Sequence, residues 1–380
     1  MLKKSEIQVC TNCVMDTSDT SIVFDENGVC DQCRTYEKEI LPNWDTSEQG
    51  LASLKKLAKE IQKQGSGKDF DCILGMSGGI DSSYLVYVAK EILGLRPLVF
   101  HVDGGWNSQI AVNNIEKIVD GLNLDLFTKV IDWEEMADLQ LSYFKSGVPH
   151  IDTPQDHAFF ATMYKFASKH KIKHILTGAN FSTECIRNPL EWMYYQSDIS
   201  QIKDIHKKFG TRNLKTFPLA SIFWYKIWLP YFRGIKVHHP LNSIPYKKIE
   251  AMQLLQEKFD WQPYPQKHFE SRFTKFYEGY WLVNRFGYDV RKVQFSSLIL
   301  TGQMTRDQAL LELSKPSYDE NTIFKDIEFI SNKLNITKLE FDKYYNLPIK
   351  TYADYKNNIK FYSLGSWILK KLGIQMGGKR

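Results

Sequence analysis

A chain of 380 residues with 43% hydrophobic and 24% charged side chains has material for two or three globular units. That mixture excludes disordered, collagen-like and coiled-coil architectures. The 49 basic against 44 acidic residues leave a net charge of +5, which suits anionic substrates but lacks the excess of a polynucleotide-binding protein. Aromatic residues make up 14%, and four of the six cysteines fall within the first 33 residues.

Those four, Cys10, Cys13, Cys30 and Cys33, read C-x2-C-x16-C-x2-C, the spacing of a four-thiolate zinc site. Each C-x2-C turn aims two sulfurs at one point, and two such turns complete a tetrahedron. Residues 22–24 followed by 25–28 read as the strand and turn of a zinc ribbon. Two disulfides are the other use of four cysteines. Residues 1–6 carry no apolar signal core, so the expectation is a reducing, cytoplasmic compartment and a structural Zn2+.

After a helical link at 47–64, strands and helices alternate. Strands are predicted at 71–74, 97–102, 126–131 and 174–177, with helices at 81–93, 108–121, 133–145 and 154–169. This rhythm predicts an α/β fold, a doubly wound parallel sheet with ligands at the carboxyl ends of its strands. From about 185 the chain turns aromatic and mostly helical. The expected organisation is a ribbon (1–45), the sheet domain (46–185) and a helical substrate or partner lobe (186–380). Residues 217–232, broken by Lys226 and two prolines, read as a buried aromatic helix pair; no transmembrane segment is expected. Residues 361–372 read as an amphipathic docking helix, with membrane-surface or partner binding as the lesser alternative.

The turn after the first strand is Met76-Ser77-Gly78-Gly79-Ile80-Asp81-Ser82-Ser83. Paired glycines let successive amides face one anion, and the following helix adds its positive end. The hydroxyls of Ser77, Ser82 and Ser83 add donors, and Asp81 is a candidate for holding Mg2+. The alternative is a plain glycine turn with serine caps. It is neither a Walker loop nor G-x-G-x-x-G.

S-G-G-I-D-S resembles the pyrophosphate loop (PP-loop) of the ATP pyrophosphatase superfamily, Rossmann-like enzymes that split ATP to AMP and pyrophosphate. The resemblance implies that Val102 and Asp103, and Thr177, Gly178 and Asn180, border the adenosine and the adenylylated atom, Asp103 being also an ordinary turn residue. A built-in glutaminase needs a catalytic cysteine. Position 2 is Leu2, no G-x-C-x-G elbow occurs, and only Cys72 and Cys185 remain. Ammonia must therefore come from solution or a partner. A tRNA thiolase is the rival reading, but it needs more cysteines near the site than Cys185; a non-catalytic scaffold is a second alternative.

Farther on stand Pro240-Leu241-Asn242-Ser243-Ile244-Pro245-Tyr246-Lys247, K-H-F-E-S-R-F-T from Lys267, Ser296-Ser297-Leu298-Ile299 and Gly302-Gln303-Met304-Thr305-Arg306. With the ribbon and the loop, these resemble the N-acetyl sugar amidotransferases (WbpG and PseA types) of bacterial surface-glycan and lipopolysaccharide O-antigen biosynthesis. The resemblance implies conversion of an acetamido group on a nucleotide-linked N-acetyl sugar to an acetamidino group. It implies ATP and Mg2+, and ammonia from a glutaminase with a cyclase-like channelling partner. Lys267 or Lys247 would then pair with phosphate, and Glu184, Glu270 and His268 would steer ammonia or accept a proton. Arg272 would bind a carboxylate or phosphate. Against these roles, helical spacing would make Phe269, Phe273 and Phe276 a core face with surface ion pairs between them. His238 and His239 read as structural, and Gln155, Asp156 and His157 as helix-capping residues with a site role second.

Overall fold

The computed structural model describes residues 7–371, the side chains of 366 and 368–371 excepted, so the expectations for residues 1–6 and Leu372 fall outside the described residues. The four predicted strands form as β1 (Cys72–Gly75), β2 (Pro97–Asp103), β3 (Leu126–Val130) and β4 (His174–Leu176). A fifth, β5 (Lys236–His238), was not expected, because three residues reading K-V-H carry no strand pattern. It exists because the open edge of β4 recruits it, with Lys236 N donating to Lys173 O and Thr177 N donating to His238 O.

All pairings are parallel, in the order β3-β2-β1-β4-β5. β1 lies at the centre and is covered on both faces, which is why its C-I-L run needs no polar alternation. Ile73 packs on one side with Phe100 and Phe273, whereas Cys72 and Leu74 pack on the other with Leu85 and Leu255. The chain moves from β1 to β2 on one side and later returns to β4 on the other. The strand order therefore reverses at the carboxyl end of β1, where open α/β sheets leave a crevice.

The predicted helices are present as Glu48–Gly65, Ile80–Tyr87, Gln109–Gly121, Trp133–Ser146 and Thr153–Lys169. Ser47, Ser108 and Asp132 cap three of them by accepting from amides of the first turn. In the ribbon, the expected strand is reduced to an isolated bridge between Phe24 and Cys30, followed by the helix Asp31–Thr35.

Two helical expectations need correction. Residues 217–232 are not a buried pair: a helix with i→i+5 bonding over Trp224–Phe232 buries Leu229 and leaves Phe223, Tyr231 and Phe232 exposed. The K-H-F-E-S-R-F-T segment is not helical throughout. Its helix, Arg272–Phe276, starts only after Ser271, which caps it, and His268 has φ +66°. Lys267 to Glu270 instead form a strap tied to the loop after β2, through Ser108 N to Glu270 O (2.8 Å) and Arg272 N to Trp106 O (2.9 Å).

Phe273 and Phe276 are fully buried, as the core reading expected. They extend the core of the sheet: Phe273 lies 4.9 Å from Trp106, and Trp281 lies 4.9 Å from Phe144. Aromatic packing thus draws the strap down over the strand ends. Among the described residues no helix is long and apolar enough to cross a membrane.

Candidate active site

The turn after β1 folds tightly on itself. Ser77 N donates to Ser82 Oγ (3.2 Å), Gly79 N to Ser77 Oγ (3.2 Å), and Ser82 Oγ to Gly79 O (3.1 Å). Gly78 has φ +86°, and a Cβ there would stand 2.7 Å from Ala111 O, so the position needs glycine. Its carbonyl accepts from Trp261 Nε1 (3.2 Å) and Tyr264 OH (3.3 Å). His101 Nδ1 donates to Met76 O (2.8 Å), which leaves its Nε2 to accept from Asn107 (2.9 Å). The loop is held from three sides, the pre-organisation that anion binding needs.

Asp81, in the first turn of the next helix, is enclosed. Its Oδ2 is 2.9 Å from Lys267 Nζ, and its Oδ1 accepts from Tyr246 OH (2.6 Å), Asn180 Nδ2 (3.0 Å) and Thr183 Oγ1 (3.3 Å). Lys267 also reaches Glu184 Oε1 at 2.7 Å. Burial works against ionisation of Asp81, but the ammonium and the hydroxyl prevail and hold its carboxyl below the ordinary range. Lys267 is likewise opposed by burial, and the two carboxylates keep its pKa above the usual lysine value. With both Asp81 oxygens engaged, this donor set does not fit a directly bound Mg2+, which corrects that expectation.

The loop opens on a cavity of about 470 Å3. Met76, Ser77, Gly79, Asp81 and Ser82 line one end, with Val102, Thr177, Gly178 and Glu184 beside them. The strap closes the cavity with Lys267, His268 and Glu270, and Ser77 Oγ donates to Glu270 Oε1 (3.2 Å). Burial raises the Glu270 pKa, with the His268 charge opposing.

Another part of the lining is rich in carboxylates. Asp152, Asp156 and Glu278 belong to it with His150, Gln155 and Tyr277. Burial and the neighbouring Asp156 push the Asp152 carboxyl well above the usual carboxylate range. Thr274 Oγ1 (2.6 Å) and Gln155 Nε2 (3.1 Å) bond to it.

His268 Nδ1 stands 2.9 Å from Glu278 Oε1; burial opposes the imidazolium, but this carboxylate raises its pKa from 6.5 to about 9. A pKa raised on folding gives stabilisation present below pH 6.5 and lost as pH rises through about 9. The ring is 40% exposed, so the amplitude is modest. We expect the melting temperature to fall over that window, and Glu278→Gln to flatten the fall. An unchanged pH slope in the variant would remove the pair from the account.

Other sequence candidates lie elsewhere. Arg272 does not line this cavity: it pairs with Asp326 (3.0 Å) and lies 3.6 Å over the Phe329 ring, so it joins two helices. Ser83 turns its hydroxyl into the core, since a residue two past Asp81 on the helix faces the sheet. Asp103 is outside the lining and closes its own turn, accepting from Gly105 N (2.7 Å). Asn180 acts through Asp81 and caps the helix Phe181–Glu184. Lys247 pairs with Glu250 at the surface (2.9 Å), and the neighbouring Lys248 lines the cavity instead.

Gln155 and Asp156 line the site, whereas His157 is buried between Gln196 O (2.7 Å) and Ala220 N (3.1 Å). His238 Nε2 meets His174 Nδ1 (3.0 Å), a contact between β4 and β5. Cys185 is buried against Ser297 O, with its thiol raised to about 11 mainly by burial, and Cys72 lies in β1. Tyr246, Lys248, Asp152 and Glu278 were missed. Only the Y-K-K sequence pointed towards the first two, because the register of Lys247 against Lys248 depends on where the helix Lys248–Phe259 begins.

The family-type motifs also have a positioning use. Gln303 Oε1 accepts from Lys248 N (2.8 Å), and its Nε2 donates to Ser182 O (2.8 Å). Ser297 Oγ accepts from Ile186 N (3.0 Å). Both residues brace the loop after β4 that carries Asn180 and Glu184.

The ribbon cysteines converge on a centre of their own. All four sulfurs lie within 4.8 Å of one another and are buried, with separations of 3.6 Å (Cys30–Cys33), 3.7 Å (Cys13–Cys30) and 3.9 Å (Cys10–Cys33). Zn–S bonds of about 2.3 Å in a tetrahedron require sulfurs about 3.8 Å apart, whereas a disulfide needs about 2.05 Å. Backbone amides of Cys13, Met15 and Cys30 point at the sulfurs, as they do at thiolates. The donor set fits Zn2+ in a closed, structural site.

A family profile described as "LPS biosynthesis protein WbpG-like, C-terminal domain" matches residues 270–369. This chain carries a WbpG-like C-terminal domain. That domain begins at Glu270 of the strap and contains the motifs that brace the site and the ribbon. An uncharacterised protein of Methanocaldococcus jannaschii is 28% identical over 131 residues, 34% of this chain. The match spans 45% of that curated relative, less than half its length.

Among solved structures, an NMN synthetase from Francisella tularensis overlaps at a TM-score of 0.34 and 14% identity, covering 80% of this chain and 99% of its own. An NH3-dependent NAD synthetase from Campylobacter jejuni overlaps at 0.32 and 14%, covering 79% and 98%. The fold assignment rests on the strand order and the loop at its reversal point. These are the features of the expected doubly wound parallel sheet, beside a cysteine cluster and a helical carboxyl-terminal region.

Proposed function

We propose that this protein is an ATP-dependent amidotransferase of lipopolysaccharide or related surface-glycan synthesis, converting an acetamido group of a nucleotide-linked N-acetyl sugar to an acetamidino group. One observation carries the reading: Glu270, the first residue of the WbpG-like domain, stands 3.2 Å from Ser77 of the phosphate-type loop, so domain and loop share one cavity.

The loop end, with Lys248 and Lys267, suits the phosphates of ATP, and Mg2+ enters as a companion of those phosphates. The carboxylate-rich part of the lining suits an acceptor with many hydroxyl groups. The acetamido oxygen attacks the α-phosphorus, and pyrophosphate leaves. Ammonia then adds to the imidate carbon, a proton is lost, and AMP departs with the former amide oxygen, giving the amidine. In this reading Glu270, a cavity-lining carboxylate whose pKa burial raises, takes the proton from the attacking ammonia.

Ammonia would reach the site neutral from a glutaminase and cyclase-like partner. The thiolase alternative loses support, because Cys185 is buried against Ser297 and does not line the cavity.

The test is incubation of the full chain with ATP, Mg2+, ammonium chloride and UDP- and CMP-linked acetamido sugars. The expected product has O replaced by NH in its mass spectrum, with AMP and pyrophosphate in equal amounts. Formation of ADP, or turnover with tRNA alone, would overturn the reading.

A further inference from the structure

We propose that the exposed face of the helix Trp224–Phe232 docks this protein on an anionic lipid surface. The first observation is charge. Residues 205–249 contain no Asp or Glu, although the chain has 44, and the same stretch holds nine Lys and Arg. Three of the nine, Lys226, Arg233 and Lys236, are exposed on this helix or within four residues of its end. Lys173 is adjacent, its ammonium donating to Arg233 O.

The second observation is the aromatic face between these cations. Phe223, Ile227, Trp228, Tyr231 and Phe232, on this helix or at its N-cap, are all exposed. Trp228 is 41% exposed, Phe223 55%, Phe232 65% and Tyr231 75%, and the Trp228 and Phe232 rings stack at 4.7 Å. The opposite face is anchored by buried Leu229 and by Tyr225, which packs against Phe160 at 5.4 Å. The helix is therefore held firmly and presents Trp228, Tyr231 and Phe232 to water.

A second element of the same chemistry adjoins it. The helix Ile359–Lys371 exposes Phe361, Leu364 and Trp367 at three-residue spacing, and residues 355–371 contain no Asp or Glu. Tyr362 of this helix bonds Ser197 (2.8 Å) and lies within electrostatic reach of Tyr225.

Exposed Trp, Tyr and Phe among cations of one sign match the interface of a bilayer with anionic headgroups. The centre of a protein–protein interface is instead depleted in lysine. Because Phe160 also lines the cavity, the docking face lies one side-chain layer from the site. None of the exposed residues lines that cavity, so the inference stands apart from the proposed reaction.

The test is co-sedimentation of the full chain with phosphatidylglycerol and with phosphatidylcholine vesicles. We expect at least about tenfold stronger binding to the anionic vesicles, weakening with added salt. The double variant Tyr231→Ser/Phe232→Ser should lose about tenfold in partition, with an unchanged circular dichroism spectrum. If that variant misfolds, Lys226→Gln/Arg233→Gln should show the same loss. Equal sedimentation with both lipids, or undiminished binding by the folded variants, would overturn the proposal. So would a dimer in light scattering that the double variant splits, since it would give the face to a second copy of the chain.

Discussion

Replacing Asp81 by Asn is expected to lower AMP and pyrophosphate formation by roughly two to three orders of magnitude. The carboxylate is the hub of the site: Lys267, Tyr246, Asn180 and Thr183 all place a donor on it. An amide keeps the shape but removes the charge that holds Lys267 ionised and centred. Lys267 would then lean towards Glu184, its remaining carboxylate partner, and away from the phosphate loop. Both members of the pair are largely buried, so the variant should also lose about 3 kcal/mol of stability.

A coupled assay for pyrophosphate, run beside a denaturant titration, separates the two effects. A variant that kept wild-type turnover would show that the enclosed carboxylate serves the fold alone.

Removal of metal from the ribbon is expected to reach far beyond the ribbon. Val14 N donates to Ser296 Oγ (3.2 Å), Lys292 pairs with Asp16 (2.5 Å), and Arg306 binds Cys10 O (2.9 Å) and Cys13 O (3.1 Å). Each contact joins a turn shaped by the four thiolates to the WbpG-like domain, which also braces Lys248 and the loop after β4. Without the metal, the buried sulfurs take up protons, nothing bonds the four together, and these turns lose their geometry.

Chelation, or Cys30→Ser, should therefore lower the melting temperature by roughly 10 °C or more and reduce bound zinc from one per chain. Differential scanning calorimetry and elemental analysis read both. Retention of full zinc by Cys30→Ser would overturn the assignment.

Local rules were enough to read several parts of this molecule from its amino acids. The C-x2-C pairs, the buried run of β1 and the paired glycines before Asp81 all depend on neighbours within a few residues. Their short-range sterics and hydrogen bonds survived folding unchanged. Phe273 and Phe276 were legible as core because their helical spacing puts both rings on one face.

Contacts between distant residues decided the rest. Arg272 and Lys267 stand five residues apart in one motif, yet one meets Asp326 and the other Asp81, because the chain turns at His268 and Ser271. Lys248 replaced Lys247 through a one-residue shift in where a helix begins. β5 formed only because β4 offered an unpaired edge. The helix Trp224–Phe232 looked buried by composition, since hydrophobicity records what a side chain prefers and only the packed structure records what covers it. The same holds for the site: Asp152, Glu278 and Tyr246 became visible when strands, strap and loop met around one cavity.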